Sequence, residues 1–176
     1  LIDEINRGNL SKIFGELMML IESDHRGEKI TLAYNGMPFY VPENLYIIGM
    51  MNTADRSLAL IDYALRRRFS FFEIEPAFTS DGFLHYQAAL DNETFNALVD
   101  QIKKLNLEIK NDPVLGPGFR IGHSYFCLDD PAACTTDWMC SVVEFDILPT
   151  LAEYWFDAPD KLQVWKDKLL GVFNDD

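Results

Sequence analysis

The opening residues Leu1-Ile2-Asp3-Glu4 set two carboxylates side by side at the end of a short apolar run. Carboxylates at the C-terminal edge of a parallel sheet face the crevice in which ligands bind. In a phosphate-transfer site the first can hold Mg²⁺, usually through water, and the second can polarise the attacking water. The pair can equally end a strand and cap the next helix, and the dipeptide alone does not choose between these. A second group, Met51-Asn52-Thr53-Ala54-Asp55-Arg56-Ser57, also follows an apolar run. An uncharged amide on a strand beside Asp3-Glu4 could orient the same water or touch a terminal phosphate. Its plainer reading is a loop in which Asn52 and Asp55 satisfy backbone groups and cap the helix from Leu58. The third group is Arg66-Arg67-Arg68, the only dense basic run of the chain. Cations at a helix C-terminus are favoured by the helix dipole, but one or two suffice for that. Guanidinium groups also suit phosphate clamping, and an arginine offered to a neighbouring subunit's nucleotide is a catalytic device.

The elements that must position these groups follow from periodicity. Leu10, Ile13, Phe14, Leu17, Met18 and Ile21 recur at steps of three and four and predict a helix, with Asn9 as its N-cap. Residues 28–33 and 37–42 are β-prone runs around Asn35-Gly36, the preferred pair for a tight hairpin turn. Leu45 to Met51 is continuously apolar, as a central parallel strand covered on both faces would be. Leu58, Ile61 and Leu65 mark a short helix ending in the arginines, and Phe69 to Glu75 forms another strand closed by Pro76. Strand, helix, hairpin, strand, helix, strand is the alternation of an α/β sheet. From residue 79 the period is helical throughout: Leu90 to Leu105 as one or two helices, Trp138 to Trp155 with Pro149 as a kink or break, and Leu162 to Phe173 as the last.

Composition bounds the rest. The chain has 176 residues, 48% apolar and 24% charged, enough to bury a core and unlike a disordered chain. Its net charge of −13 would repel a phosphate backbone over most of the surface. The charge is uneven, −3 over residues 1–78 and −10 over residues 79–176, so the two parts differ in role. Three cysteines without a CxxC pair support neither a disulfide framework nor a zinc site, and a reducing cytoplasm fits. No apolar run is long enough to span a bilayer, and His25, His85 and His123 are too scattered for a metal set. Because a strand needs about 5 residues, Leu1-Ile2 reads as the end of one, and the chain is expected to be a fragment of a larger protein.

Taken in order, the three groups and their strands resemble the AAA+ ATPase superfamily. Within it the resemblance is to the McrB family, GTP-dependent motor subunits of restriction systems that cut DNA containing modified cytosine. The carrying residues are Leu1-Ile2-Asp3-Glu4-Ile5-Asn6-Arg7, similar to a Walker B segment, the MNTADRS run from Met51 to Ser57, and Asp62-Tyr63-Ala64-Leu65-Arg66-Arg67-Arg68-Phe69. Gly122-His123-Ser124-Tyr125-Phe126 and Glu153-Tyr154-Trp155-Phe156 extend it over nearly the whole chain. The resemblance implies a partial P-loop NTPase core of α/β class over residues 1–78, truncated at its N-terminus, and an all-helical lid over residues 79–176. It implies Asp3 as the Mg²⁺ carboxylate, Glu4 as the water-activating base and Asn52 as the sensor-I residue. Arg67 and Arg68 become candidates for an arginine finger acting across a subunit interface. Asp55, Arg56, Asp62 and Arg66 are weaker members of the charged network, and Arg120 is a candidate on the lid side. The role of the hairpin at residues 28–42 stays open.

The sequence contains no GxxxxGK[ST], so the loop that cradles the phosphates of GTP or ATP is expected upstream of Leu1, and these residues alone hold no complete nucleotide site. The strand that normally sits between the sensor-I strand and residues 69–75 is expected to be missing too, which exposes apolar edges and invites dimerisation, swapping or rearrangement. The implied partners are other copies in a ring, a partner nuclease, and DNA through a separate upstream domain, with no membrane. Two alternatives remain: a MoxR-like AAA+ ATPase that remodels proteins, and a non-catalytic assembly module whose acidic lid binds subunits.

Overall fold

A computed structural model describes residues 1–52, 54 and 66–174, so the helix expected from Leu58 lies outside the described residues. The chain divides into two units, Leu1–Glu73 and Ile74–Asp176.

The first unit is built on turns. After a 3₁₀ turn at Ile5–Arg7 comes helix α1, Leu10–Phe14, which passes into a second 3₁₀ turn at Gly15–Met18. The helix expected through Ile21 therefore stops after Phe14. Gly15 explains the stop: its φ of +48° lies in the left-handed region, which ends an α-helix. Phe14, Met18, Ile47 and Phe69 still pack against Ile5 and Ile21, so the apolar periodicity is used even though the helix is broken.

Strands β1 (Ile30–Thr31) and β2 (Pro38–Phe39) pair antiparallel, Ile30 opposite Phe39 and Thr31 opposite Pro38. Their turn is the expected one, with Gly36 at φ +68° and the Asn35 carboxamide oxygen accepting from Met37 N at 3.0 Å. The Glu16 carboxylate accepts from Ala33 N at 2.9 and 3.0 Å and ties the hairpin to the turn after α1.

Of the parallel sheet expected from the sequence, the described residues show one isolated parallel bridge, Ile2 to Gly49. Residues 45–48 and 69–75 carry no ladder there, which corrects the expectation of a doubly covered central strand. Leu45, Tyr46, Ile48, Met50, Met51, Phe71 and Phe72 are exposed, Phe72 at 90%. The physical reason is that a strand is defined by its neighbours: among the described residues, 48–50 are paired on one side only, by Ile2 and Ile5, and the apolar side chains along the segment stay uncovered.

The second unit is helical and well packed. Helices α2 (Asp81–Leu90), α3 (Glu93–Asn111), α4 (Thr136–Val142), α5 (Leu148–Tyr154) and α6 (Pro159–Leu170) surround one core. Local chemistry sets the starts: Ser80, Asn92 and Thr135 each accept a backbone N–H of the first turn of α2, α3 and α4. Phe95, Leu98, Val99, Ile102, Leu105 and Ile109 line one face of α3 and meet Phe126, Met139, Ile147, Leu151, Trp155 and Leu169. Burying a Leu, Ile or Phe fully contributes about 2 kcal/mol each.

The helix expected from Trp138 to Trp155 with a kink or break at Pro149 is instead interrupted earlier, by a π-helical turn at Val143–Ile147 between α4 and α5. Pro149 sits in the first turn of α5, where its missing N–H costs little. The buried Asn106 carboxamide donates to Ile121 O at 2.8 Å and accepts from Ile121 N at 2.6 Å, pinning the loop between α3 and α4 to α3.

Asp112 closes the C-terminus of α3. Its carboxylate accepts from Lys161 Nζ (2.9 Å) on α6, from Trp155 Nε1 (3.4 Å), and from Val114 N (2.8 Å) and Leu115 N (3.2 Å). The hydrogen bond from Lys161 is the main cause that lowers its pKa to about 2; burial opposes it and the two amides reinforce it. A depressed carboxylate stabilises the fold above its unfolded pKa of about 4, and that stability is lost as pH falls through about 2. We expect Asp112→Asn to lower the unfolding free energy of this unit by about 2 kcal/mol at neutral pH. The gap between variant and parent should close on acidification to about pH 2, as read by urea titration of Trp fluorescence. Equal stability at neutral pH would show that Asp112 does not tie α3 to α6.

Candidate functional site

Three backbone hydrogen bonds clasp the first chemical group to the second. Ile2 N donates to Ile48 O (2.8 Å), Met50 N to Ile2 O (2.8 Å), and Ile5 N to Met50 O (2.9 Å). Asp3 and Glu4 thus lie between two points of attachment to residues 48–50, with Asn52 two positions farther along. Gly49 permits this approach, since a Cβ there would stand 2.7 Å from Ile5 Cδ1.

Asp3 is exposed, and its Oδ1 accepts from Glu4 N at 2.9 Å; its other oxygen has no hydrogen-bond partner among the described residues. Glu4 adopts φ 48°, ψ 44°, a left-handed conformation that a non-glycine residue holds at a cost of about 1 kcal/mol or more. Its carboxylate meets Arg7 Nε at 2.6 Å. Asn6 beside them is buried, and its Oδ1 has no partner among the described residues. Asn52 is exposed, with its carboxamide oxygen accepting from Ala54 N at 3.0 Å. Asp55, Arg56 and Asp62 lie outside the described residues.

The three arginines have three different environments. The Arg66 guanidinium lies over the Phe71 ring at 5.7 Å, and Arg67 is exposed. Arg68 Nη2 meets Glu22 Oε1 at 2.6 Å, and its side chain is only 13% exposed. Glu22, which the sequence did not single out, therefore anchors the end of the run and leaves Arg67 displayed. Near these residues Ile21, Arg26, Tyr46, Ile48, Arg68 and Phe69 line an open cleft of about 440 Å³ between residues 45–48 and 68–70.

The remaining candidates have the following surroundings. In the second unit Arg120 donates to Glu75 Oε1 (3.1 Å) and to Pro117 O (2.8 Å). His123 accepts from Ala77 N at 3.2 Å and packs edge-on against Phe78 and Phe83. Glu22, Asp24 and His25 bring three donor atoms within 4.8 Å of one another, but Glu22 is held by Arg68 and His25 by Glu28. The hydrogen bond with Glu28 is the main cause that raises the His25 pKa above its ordinary value. Trp155 and Trp165 are buried in the helical core.

Chemically, the arrangement offers one hard oxygen ligand free to take a divalent cation, a second carboxylate beside it, an amide on the adjoining segment and an exposed guanidinium. Asp3 fits Mg²⁺ by donor type, since Mg²⁺ is held through one or two carboxylates with most of its waters retained.

Residues 1–69 match the family model described as an AAA domain of the dynein-related subfamily, and residues 97–163 match the McrB alpha-helical lid domain. The chain is 53% identical, over 97% of its length, to the type IV methyl-directed restriction enzyme EcoKMcrB subunit of Escherichia coli K12. It is 29% identical, over 68% of its length, to the type II restriction enzyme BsuMI component YdiS of Bacillus subtilis 168. The chain spans 39% and 41% of the length of these two relatives.

Proposed function

The chain belongs to the McrB family, as part of an AAA domain followed by the family's helical lid, and on that premise we propose that it is the C-terminal part of a ring-forming motor that hydrolyses GTP. The motor would serve a restriction system in the cytoplasm that acts on DNA carrying modified cytosine, through a partner nuclease. The domains are assigned to residues 1–78 and 79–176. The observation that carries the reading is the bridge of Ile2 to Gly49, which sets Asp3-Glu4 beside the segment leading to Asn52.

In this reading Asp3 holds Mg²⁺, which would neutralise phosphate charge when bound. Glu4 accepts the proton of the attacking water, and must leave Arg7 to do so. Asn52 orients that water by giving up its bond to Ala54 N. Arg67 stabilises the charge that builds on the phosphate of a neighbouring subunit, while Arg68 and Glu22 hold the run in place. The upstream segment carrying the phosphate loop would seat its strand in the cleft between residues 45–48 and 68–70, covering the exposed apolar side chains there.

The test is nucleotide turnover by the full-length protein. GTP should be hydrolysed in preference to ATP, and residues 1–176 alone should hydrolyse neither. Preference for ATP, with remodelling of a protein substrate, would favour a MoxR-like activity. Multiple turnover by residues 1–176, lost on Glu4→Ala, would overturn the proposed division of the site.

A further inference from the structure

The acidic second unit keeps its lysines in one place. Residues 79–176 contain six lysines, and all lie on two helices: Lys103, Lys104 and Lys110 on α3, and Lys161, Lys166 and Lys168 on α6. Between these helices runs an open groove of about 560 Å³ lined by Gln101, Lys104, Leu107, Glu108, Trp165 and Lys168, with Asn111 at one end. Gln101, Lys104, Glu108 and Asn111 recur at helical steps, so they share one face of α3, away from the core face.

The carboxylate in the groove is already engaged. Glu108 accepts from Trp165 Nε1 at 3.0 Å and pairs with Lys161 at 3.2 Å. Asp167, next to Lys168, accepts from Gln163 at 2.7 Å, and Asp100 pairs with Lys103 at 3.6 Å. Lys104 and Lys168 have no ion pair among the described residues. The groove therefore presents two uncompensated ammonium groups, two carboxamides, and an apolar patch at Leu107, which is 61% exposed.

We propose that this α3–α6 groove is a docking site for an acidic peptide segment of a partner protein, its carboxylates meeting Lys104 and Lys168 and an apolar side chain meeting Leu107. Charge complementarity selects an anion, and the state of Trp165 selects its class. Single-stranded nucleic acid is gripped by free aromatic faces on which bases stack. Trp165 is only 3% exposed, and the Lys168 ammonium lies over its ring at 4.3 Å, so no face is free for a base. Duplex DNA needs many phosphate contacts, and the groove offers only the two lysines Lys104 and Lys168 for them.

The test uses residues 1–176 and three fluorescein-labelled probes: a short peptide alternating Asp, Glu and Leu, oligo-dT, and a short DNA duplex. The peptide should bind, binding should weaken with salt, and Lys104→Glu with Lys168→Glu should weaken it about tenfold or more. Circular dichroism should show the double variant folded, and Lys166→Glu, a lysine outside the groove lining, should bind like the parent. Should the double variant fail to fold, Lys104→Gln with Lys168→Gln is expected to weaken binding in the same direction. No peptide binding, or peptide binding indifferent to these substitutions, overturns the proposal. So does preferential binding of either nucleic acid that the same variants abolish. Self-association of the chain that the double variant relieves would make the occupant a second copy and overturn it as well.

Discussion

Glu4→Gln in the full-length protein is expected to retain nucleotide binding and assembly while losing hydrolysis by about 10²-fold or more, the scale of a general base. The substitution keeps the shape and the left-handed backbone strain of Glu4, and removes only the proton acceptor. Losing the pair with Arg7 costs little, because both side chains are about half exposed and such pairs contribute about 1 kcal/mol or less. Single-turnover hydrolysis alongside a nucleotide-binding titration separates the two effects. A variant within a few-fold of the parent would remove Glu4 from the chemistry.

The arginine run gives the larger effect and a sharper division. Arg67→Ala should keep fold and nucleotide affinity and lose hydrolysis by about 10³-fold or more, as arginine fingers do. Arg68→Ala should act differently, because its guanidinium is spent on Glu22 inside its own unit. Its loss and Glu22→Gln should therefore give matching defects, since each breaks the same anchor. If Arg67 acts across an interface, mixing Arg67→Ala with Glu4→Gln subunits restores part of the activity. Interfaces that pair an intact Glu4 with a neighbour's intact Arg67 then form again. No rescue in demonstrably mixed rings, with each variant inactive alone, would place Arg67 in cis or at a helix end only.

How far the sequence could be read depended on where each instruction was written. The helical unit was legible because its apolar stripe, read from Leu90 to Leu105, is a local signal; the caps at Ser80, Asn92 and Thr135 are equally local, and the structure rather than the sequence reading brought them out. The hairpin turn at Asn35-Gly36 was legible for the same reason. Residues 45–51 were not, because their apolarity states that they must be covered but not by what. In α1 the stripe masked the break at Gly15. The motifs singled out Asp3, Glu4 and Asn52 as candidates, and the backbone supplied what they lack, the attachment of residues 2–5 to residues 48–50. Nothing in three identical arginines distinguishes Arg67 from Arg68. That difference comes from Glu22, a residue no motif includes.

The π-turn at Val143–Ile147 bears on how other chains are to be compared with this one. Spacing its hydrogen bonds i to i+5 fits one more residue into the turn than an α-helix holds, and rotates everything beyond it by about 100°. A homologous lid with an uninterrupted helix here would be one residue shorter. Aligned without a gap, it would place polar positions opposite Leu151, Trp155, Trp165 and Leu169, and a sound core would be read as a damaged one. Phe145, displayed to solvent at 73% in the middle of the turn, marks the place where such a gap belongs.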